Sequence, residues 1–574
     1  MDISVQRRSL RILHKWFLRD ANVVPYIERS NIKPPFGTQS FSRLETVSPE
    51  SEGISSDYIL SYLNRLRNES GLHMQTVTVA RNGKVISRGE FFPYTTDVWH
   101  VTHSMCKSII SLGIGMLIDD GLLSLDDHAA DILKDSISQR GAVINGGIKI
   151  RHLLNMSTGI MFNEAGVISD TDWVRAFFDS TPKFRPGADF EYNSMNTYIL
   201  SAVISKITGT SVSEFLRGRL FSPLGITDFH WETCPKGIEA GGFGLYIFPE
   251  DILKIGIMVS MGGVYDGKRI ISEKYLKEAT KKQIKTPPIT GRYDYGYQMW
   301  CKEDGSVAIF NGMFGQNVII FPKVRIVIMT TAGSSEVFQR SSLYTVTEKY
   351  FGGNFRPSGR MEENPQALAA LRYREKRLCR DGSDAEFVLL RGGSLPLGCV
   401  DFEGRYDIAA PDGTGLSLMP ELYQLVHNNF AKGLVGIDLS VENEKFFVTF
   451  READGERRVR VGFSGYEESS VEYGGEVIVV RAYGTVTDGV SRYMRIHFCF
   501  PELPNSRILT FRYAPGGLKA TFDEAPGYRL FSSFMKQNIS EGMKKRVERL
   551  DRDGLFEKQM KNFMRPVVQL NKRD

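Results

Sequence analysis

Cysteine is scarce in this 574-residue chain, and the six present, Cys106, Cys234, Cys301, Cys379, Cys399 and Cys499, stand far apart. There is no CxxC pair and no cluster of four Cys and His residues at zinc-ligand spacing, which argues against structural zinc and for a reducing, cytoplasmic setting. An excess of one charge is missing as well. The 72 Lys and Arg residues nearly balance 67 Asp and Glu, and the basic runs MKKRVERLDRD and RYREKR are broken by acids or lie at domain edges. Nucleic acid is therefore not an expected partner. The longest weakly charged stretch, Ser108 to Ile118, falls well short of the roughly 20 residues a bilayer requires, so no membrane span is expected. The opening MDISVQRRSLRILHKWFLRDANVV lacks an uninterrupted apolar core and a small-residue cleavage site, and does not read as a signal peptide. Also absent are internal repeats, low-complexity tracts, a Gly-x-Ser-x-Gly elbow, a Walker loop, an HExxH pair and a GxGxxG opening a helix.

What is present is a chain 42% hydrophobic, enough for at least one large core and two to four domains. From Ser48, SPESEGISSDYILSYLNRLRNES reads as a capped amphipathic helix, and QTVTVARNGKVISRGEF as two alternating strands about an Asn82-Gly83 hairpin turn. In WHVTHSMCKSIISLGIGMLIDDG, Trp99 to Gly121, the apolar positions Ile109, Ile110, Leu112, Ile114, Met116 and Leu117 cover most of a helix circumference. That helix is expected to be buried on nearly all sides and to end at Gly121. IKIRHLLNMSTGI reads as a short helix, MNTYILSAVISKITG as an apolar helix closed by Gly209, and PEDILKIGIMVSMGG as a third led by Pro249. The strands SVAIFNG and QNVIIFPKVRIVIMTTAG follow, with a turn at Pro322-Lys323. Helices lying between strands at both ends of the segment imply an antiparallel sheet assembled from both ends, an α+β arrangement.

Composition shifts near GGNFRPSGRMEENPQALAALRYREKRLCRDGSD, a charged helix between Gly- and Pro-rich flanks. Beyond it FEGRYDI, KFFVTFREADGERRVRVGF, GEVIVVRAYGTV and SRYMRIHFCF alternate with period two, the pattern of a β barrel or sandwich. The tail from about Phe531 has helical spacing. The expected organisation is an N-terminal extension (1–47), a first domain (48–355), a linker with a charged helix (356–398), a β-rich domain (399–530) and a helical tail (531–574).

The stretch after Trp99 also carries chemistry. Ser104 and Lys107 are three residues apart, so a helix puts both side chains on one face. A serine hydroxyl needs a base to take its proton, and a lysine can serve only where desolvation lowers its pKa from about 10.4. The apolar helix around Lys107 offers that setting, and at the first helical turn the Ser104 N–H faces a developing oxyanion. The Ser-x-x-Lys spacing recurs at Ser30/Lys33, Ser180/Lys183 and Ser533/Lys536, but only Ser104 heads a buried helix. The alternative is a capping serine with a snorkelling lysine. Downstream, FRPGADFEYNSMNTYIL places Tyr192 and Ser194 in a loop feeding an apolar helix. A tyrosine beside a cationic lysine can shuttle protons; otherwise it is a packed loop residue. His100 and His103 flank Ser104, as a Ser-His pair would require, although a histidine at a strand end more often packs or hydrogen-bonds. Cys106 points off the Ser104/Lys107 face and reads as a small core residue.

Together these segments resemble the serine β-lactamase-related hydrolases, which include class C β-lactamases, D-alanyl-D-alanine carboxypeptidases, penicillin-binding proteins, esterases and 6-aminohexanoate-dimer hydrolases. HSMCKS is similar to the family's Ser-x-x-Lys box, IRHLLNMSTGI to its LRHLLTHTSGL segment, and YNS to its Tyr-x-Asn box. GGFGLYIFPEDILKIGIMVSMGGVYDGKRIIS, YGYQMW and NGMFGQNVIIFP follow in the family's order, from about Ser48 to Lys349. The resemblance implies a β-lactamase/transpeptidase-like fold, an antiparallel sheet flanked by helices with a helical lobe. It implies Ser104 as acylated nucleophile, Lys107 as base and Tyr192 as proton shuttle. The N–H groups of Ser104 and Met313 would form the oxyanion hole, and Ser194, Asn196, Gly312 and Gln316 would contact substrate. Neither a cofactor nor a metal is implied.

Two departures narrow that reading. Ser194 stands where β-lactamases have asparagine, with Asn196 as a potential substitute, and IFNGMFGQ lacks the Lys-Thr-Gly or His-Thr-Gly that binds a substrate carboxylate. The expected activity is hydrolysis of a small-molecule amide or ester, as in the esterase and 6-aminohexanoate-dimer branch. The alternatives are a D-amino-acid-specific peptidase, carboxypeptidase or β-lactamase, with Arg292 or Lys302 replacing the missing anchor, and a non-catalytic scaffold of the same fold. A homo-oligomer is compatible with either.

Overall fold

The Asn82-Gly83 hairpin forms one edge of a seven-stranded antiparallel sheet in the computed structural model, which describes residues 31–37, 39–161, 168, 170–335, 338–381, 395–409, 416–487, 492–527 and 555–573. Its strands run in the order Lys84–Glu90, Met74–Arg81, Ile326–Ala332, Gln316–Phe321, Ala308–Gly312, Trp300–Cys301 and Asp294–Tyr295. The sheet is thus built from both ends of the first module, as the strand pattern requires. The pairing Val77↔Thr330 joins the N-terminal hairpin to the late strands. Along those strands Val318, Ile320, Val327 and Met329 pack into one core, and Ile319, Phe321, Ile326 and Ile328 into another. Both faces are covered, which is why the late strands read as nearly continuous apolar runs.

One face carries helix Pro249–Ser260, seated closely because Gly256 has no side chain: a Cβ there would lie 2.5 Å from Val318 Cγ1. Behind it lies a helical lobe centred on Cys106–Asp119 and Ser194–Thr208. Every residue from Cys106 to Leu117 is buried, as its all-round apolar pattern demands. The other face is covered by Ser56–Asn68, capped by the Ser55 hydroxyl, and by Ser342–Phe351. The charged helix expected in the linker, Pro365–Asp381, packs on this layer as well: Leu371 and Leu378 are buried in its core, and Glu375 accepts from the Ser87 hydroxyl (2.7 Å) and the Arg88 N–H (3.1 Å). Most of its other charges lie on the outward side, while Arg372 reaches back to donate to Val47 O (3.0 Å).

The second module is a ten-stranded antiparallel sheet curled into a near-barrel, closed where Gly462 N–H donates to Ala482 O (3.1 Å) and Gly484 N–H to Gly462 O (2.8 Å). The helical tail needs correction within its described part. Helix Leu555–Met564 is followed by strand Val567–Lys572, which inserts between Gly404–Ile408 and Gly517–Ala525 and completes the sheet. The rest of that tail, 531–554, lies outside the described residues, as do 1–30. The two modules share one core, since Val98, Trp99, Val101, Tyr246 and Phe248 of the first cluster with the barrel interior. A buried ion pair, Lys33 Nζ to Glu502 Oε1 (2.7 Å), reinforces the junction, and Trp99 Nε1 donates to the same carboxylate. Among the described residues no single helix is long and apolar enough to cross a membrane.

Candidate active site

The segment before Ser104 is a two-residue strand, His100–Val101, held on one side by Leu245–Ile247 and on the other by the second module, where Val101 N–H donates to Glu502 O (2.9 Å). It turns through a 3-10 segment, His103–Met105, into helix Cys106–Asp119. Within His103–Lys107 only Ser104 reaches solvent. Lys107 is 1% exposed, and its Nζ lies 2.8 Å from Ser104 Oγ, 2.9 Å from Ser194 Oγ and 2.6 Å from the Gly242 carbonyl oxygen. The nitrogen also stands 5.1 Å from the centre of the Tyr192 ring. Residues from three stretches of the chain therefore meet around one buried ammonium or amine.

Tyr192 lies just before helix Ser194–Thr208, whose N-cap Asn193 side chain accepts from Met195 N–H. Its ring is partly exposed and stacks on Trp300, with centroids 5.8 Å apart and planes 16° from parallel. Tyr295 and Phe190 extend this aromatic wall behind Trp300. Met313 follows the end of strand Ala308–Gly312 and is partly exposed. Gly312 brings that strand end against the Ser104 segment: a Cβ there would lie 2.3 Å from Thr102 O. Gly312 is thus a contact between backbones, and any side chain would push the Met313 turn away.

Two expected substrate contacts are otherwise engaged. Asn196 is fully buried; its Oδ1 accepts from the Thr158 hydroxyl (2.9 Å), so it does not replace the asparagine missing at Ser194. Gln316 is also fully buried, donating to Ala332 O (2.6 Å) and Met313 O (3.2 Å), and it secures the strand turn. Ser194 is bonded to Lys107 instead of reaching outward. Neither proposed carboxylate anchor is free: Lys302 pairs with Glu348, and Arg292 donates to the Thr345 hydroxyl (2.6 Å).

The residues flanking Ser104 are electrostatically quiet. Burial pushes the Cys106 thiol up to about 12, and its sulfur contacts His103 O (3.0 Å) and Gly241 O (3.1 Å). Burial lowers the His100 imidazole to about 4 and holds His103 well below its ordinary value, with His427, His100 and Lys107 adding to the effect. His103 packs edge-on against Phe314 and makes no bond through either ring nitrogen, so no Ser-His pair forms. Among the described residues no group of three or more His, Cys, Asp or Glu side chains could hold a metal ion.

Sequence reasoning missed Gly242 and Trp300. The paired glycines in AGGFG were a usable signal for the first, because Gly242 must pass close to Ser194: a Cβ would lie 2.8 Å from Ser194 O. No local signal marks Trp300 as the partner of Tyr192.

Residues 67–341 match the Beta-lactamase family model. The chain is 25% identical over 280 residues to the 6-aminohexanoate-dimer hydrolase of Paenarthrobacter ureafaciens, spanning 44% of this chain and 70% of that protein. It is 22% identical over 219 residues to penicillin-binding protein 4* of Bacillus subtilis, spanning 33% of this chain and 47% of that one. The solved structure of a putative 6-aminohexanoate-dimer hydrolase from Bacillus anthracis superposes with a TM-score of 0.45 at 17% identity, over 57% of this chain and 90% of its own. Residues 67–341 are a Beta-lactamase family domain with the β-lactamase/transpeptidase-like fold, and the family is one of serine hydrolases.

Proposed function

We propose that this protein hydrolyses a small-molecule amide or ester through an acyl-enzyme on Ser104. The observation that carries the reading is the 2.8 Å approach of Lys107 Nζ to the partly exposed Ser104 Oγ, within a buried setting. A neutral amine has two hydrogens and one lone pair. With the hydrogens directed to Gly242 O and Ser194 Oγ, the lone pair faces the Ser104 hydroxyl and can take its proton. Ser104 Oγ then bonds to the substrate carbonyl carbon, and the oxygen anion is held by the N–H groups of Ser104 and Met313. Collapse breaks the bond to the leaving nitrogen or oxygen, which receives the proton by way of Tyr192. Water releases the acid along the reverse path, returning the proton to Ser104.

The missing carboxylate anchor and the engaged Lys302 and Arg292 favour substrates that need no such clamp over penicillins and D-amino-acid peptides. The relative named as a 6-aminohexanoate-dimer hydrolase supports the amide side of this reading. The test is intact-protein mass after brief exposure to a fluorophosphonate, and separately to p-nitrophenyl butyrate and a penicillin. Stoichiometric labelling lost in Ser104→Ala, with ester turnover and little penicillin adduct, is the expected result. A well-folded protein that takes no label would be a non-catalytic scaffold.

A further inference from the structure

Two residues beside the proposed oxyanion hole hold left-handed backbones without being glycine, His103 (φ 47°) and Phe314 (φ 67°). Such conformations are disfavoured for a residue with a Cβ and persist where the surroundings impose them. His103 precedes Ser104 and Phe314 follows Met313, so each outlier adjoins one of the two N–H groups assigned above. The two rings meet edge to face, with centroids 5.0 Å apart. Both are buried, and because neither His103 ring nitrogen has a hydrogen-bond partner, packing alone sets the position of that ring.

The other ring against His103 comes from the second module. His427 lies 5.8 Å from it, at the end of helix Glu421–Val426, stacked on Tyr423 at 4.6 Å. Its Nδ1 is 2.8 Å from Glu232 Oε1 of the first module. The start of the same helix is fixed inside the near-barrel, where Glu524 accepts from Glu421 N–H (2.8 Å) and pairs with the fully buried Arg507 (3.1 Å). A continuous chain of contacts thus runs from the barrel interior, through one short helix, to the residue next to Ser104.

We propose that His427 is a positioning residue: it presses His103 against Phe314 and so fixes the spacing of the Ser104 and Met313 N–H groups. This rests on the acyl-enzyme reading above. The near-barrel is then a working part of the active site, and the strain at His103 and Phe314 is maintained from the second module.

The experiment compares full-length wild type with His427→Ala and His427→Phe. It measures p-nitrophenyl butyrate kinetics, the rate of fluorophosphonate labelling, and hydrogen-deuterium exchange of peptides containing 103–105 and 313–315. His427→Ala is expected to lower kcat by about 10- to 100-fold, as a displaced reacting group does, with KM nearly unchanged and faster exchange in both peptides. His427→Phe, which keeps a flat ring, is expected to recover most of kcat and the slow exchange. Should the alanine chain not fold, His427→Leu, which fills the volume without a flat ring, is expected to show the same loss. Unchanged exchange in His427→Ala, or equal kcat loss in the alanine and phenylalanine variants, overturns the proposal. Failure of wild type to label, with exchange still dependent on His427, overturns the acyl-enzyme reading and leaves the coupling between modules standing.

Discussion

Lys107 Nζ and Ser104 Oγ stand 2.8 Å apart although the serine lies in a 3-10 turn and the lysine in the α-helix that follows. The change of helix type lets Ser104 reach solvent while Lys107 stays within the lobe, bonded also to Ser194 and Gly242.

Lys107→Arg is expected to lower ester turnover by roughly 100-fold or more although the charge is retained. A guanidinium stays protonated at any working pH and cannot take the Ser104 proton, and its planar fork does not fit three oxygens arranged around a single nitrogen. Steady-state kinetics with p-nitrophenyl butyrate provide the check. Turnover within a few-fold of wild type would exclude Lys107 as the base.

Tyr192→Phe keeps the ring that stacks on Trp300 and removes only the hydroxyl. Melting temperature is expected to stay within about 1 °C of wild type. The value of kcat is expected to fall about 100-fold, the lower end for a lost proton-transfer group. A matching fall in stability would make Tyr192 a packing residue.

Gly312→Ala places a methyl group 2.3 Å from Thr102 O, a backbone atom that cannot swing aside. Strain of about 1–3 kcal/mol is expected, with loss of activity as the Met313 turn moves from Ser104. Gly147→Ala, where a Cβ meets nothing within 4 Å, is the control and is expected to be neutral in both assays. Equal behaviour of the two variants would show that the close approach has no consequence.

Acid is expected to destabilise the junction between the modules. The His100 pKa is about 4 in the folded chain against 6.5 for the free side chain. Between these values the unfolded chain binds a proton that the folded chain does not, so stability is full above pH 6.5 and falls as pH drops toward 4. The slope reaches at most about 1.4 kcal/mol per pH unit for this one group. His100→Asn, which cannot titrate, is expected to flatten the fall in melting temperature between pH 7 and 4.5. A slope equal to that of wild type would assign the acid sensitivity to other groups.

Legibility in the sequence followed locality. The Asn82-Gly83 turn, the Ser55 cap and Gly209 with φ 69° are signals carried within a few residues, and each element appears where its signal stands. The all-round apolar pattern of Cys106–Asp119 likewise announces its burial. Strand Val567–Lys572 is not legible locally, because its exposed and buried positions do not alternate cleanly and its partners lie far back in the chain. Asn196 looked available because sequence shows its place on a helix but not the Thr158 hydroxyl that occupies it.

The sequence by itself determined which residues could do chemistry: one Ser-x-x-Lys pair at the head of a buried helix, one tyrosine loop, and one glycine-led strand turn. Helical spacing brings Ser104 and Lys107 together without help from the rest of the chain. Only the tertiary structure decided what surrounds them: the Gly242 carbonyl on Lys107, Trp300 behind Tyr192, and His427 against His103. The last of these joins residues from different modules. Propensity and pattern act over a turn or a strand, whereas these contacts exist because packed cores place distant segments side by side.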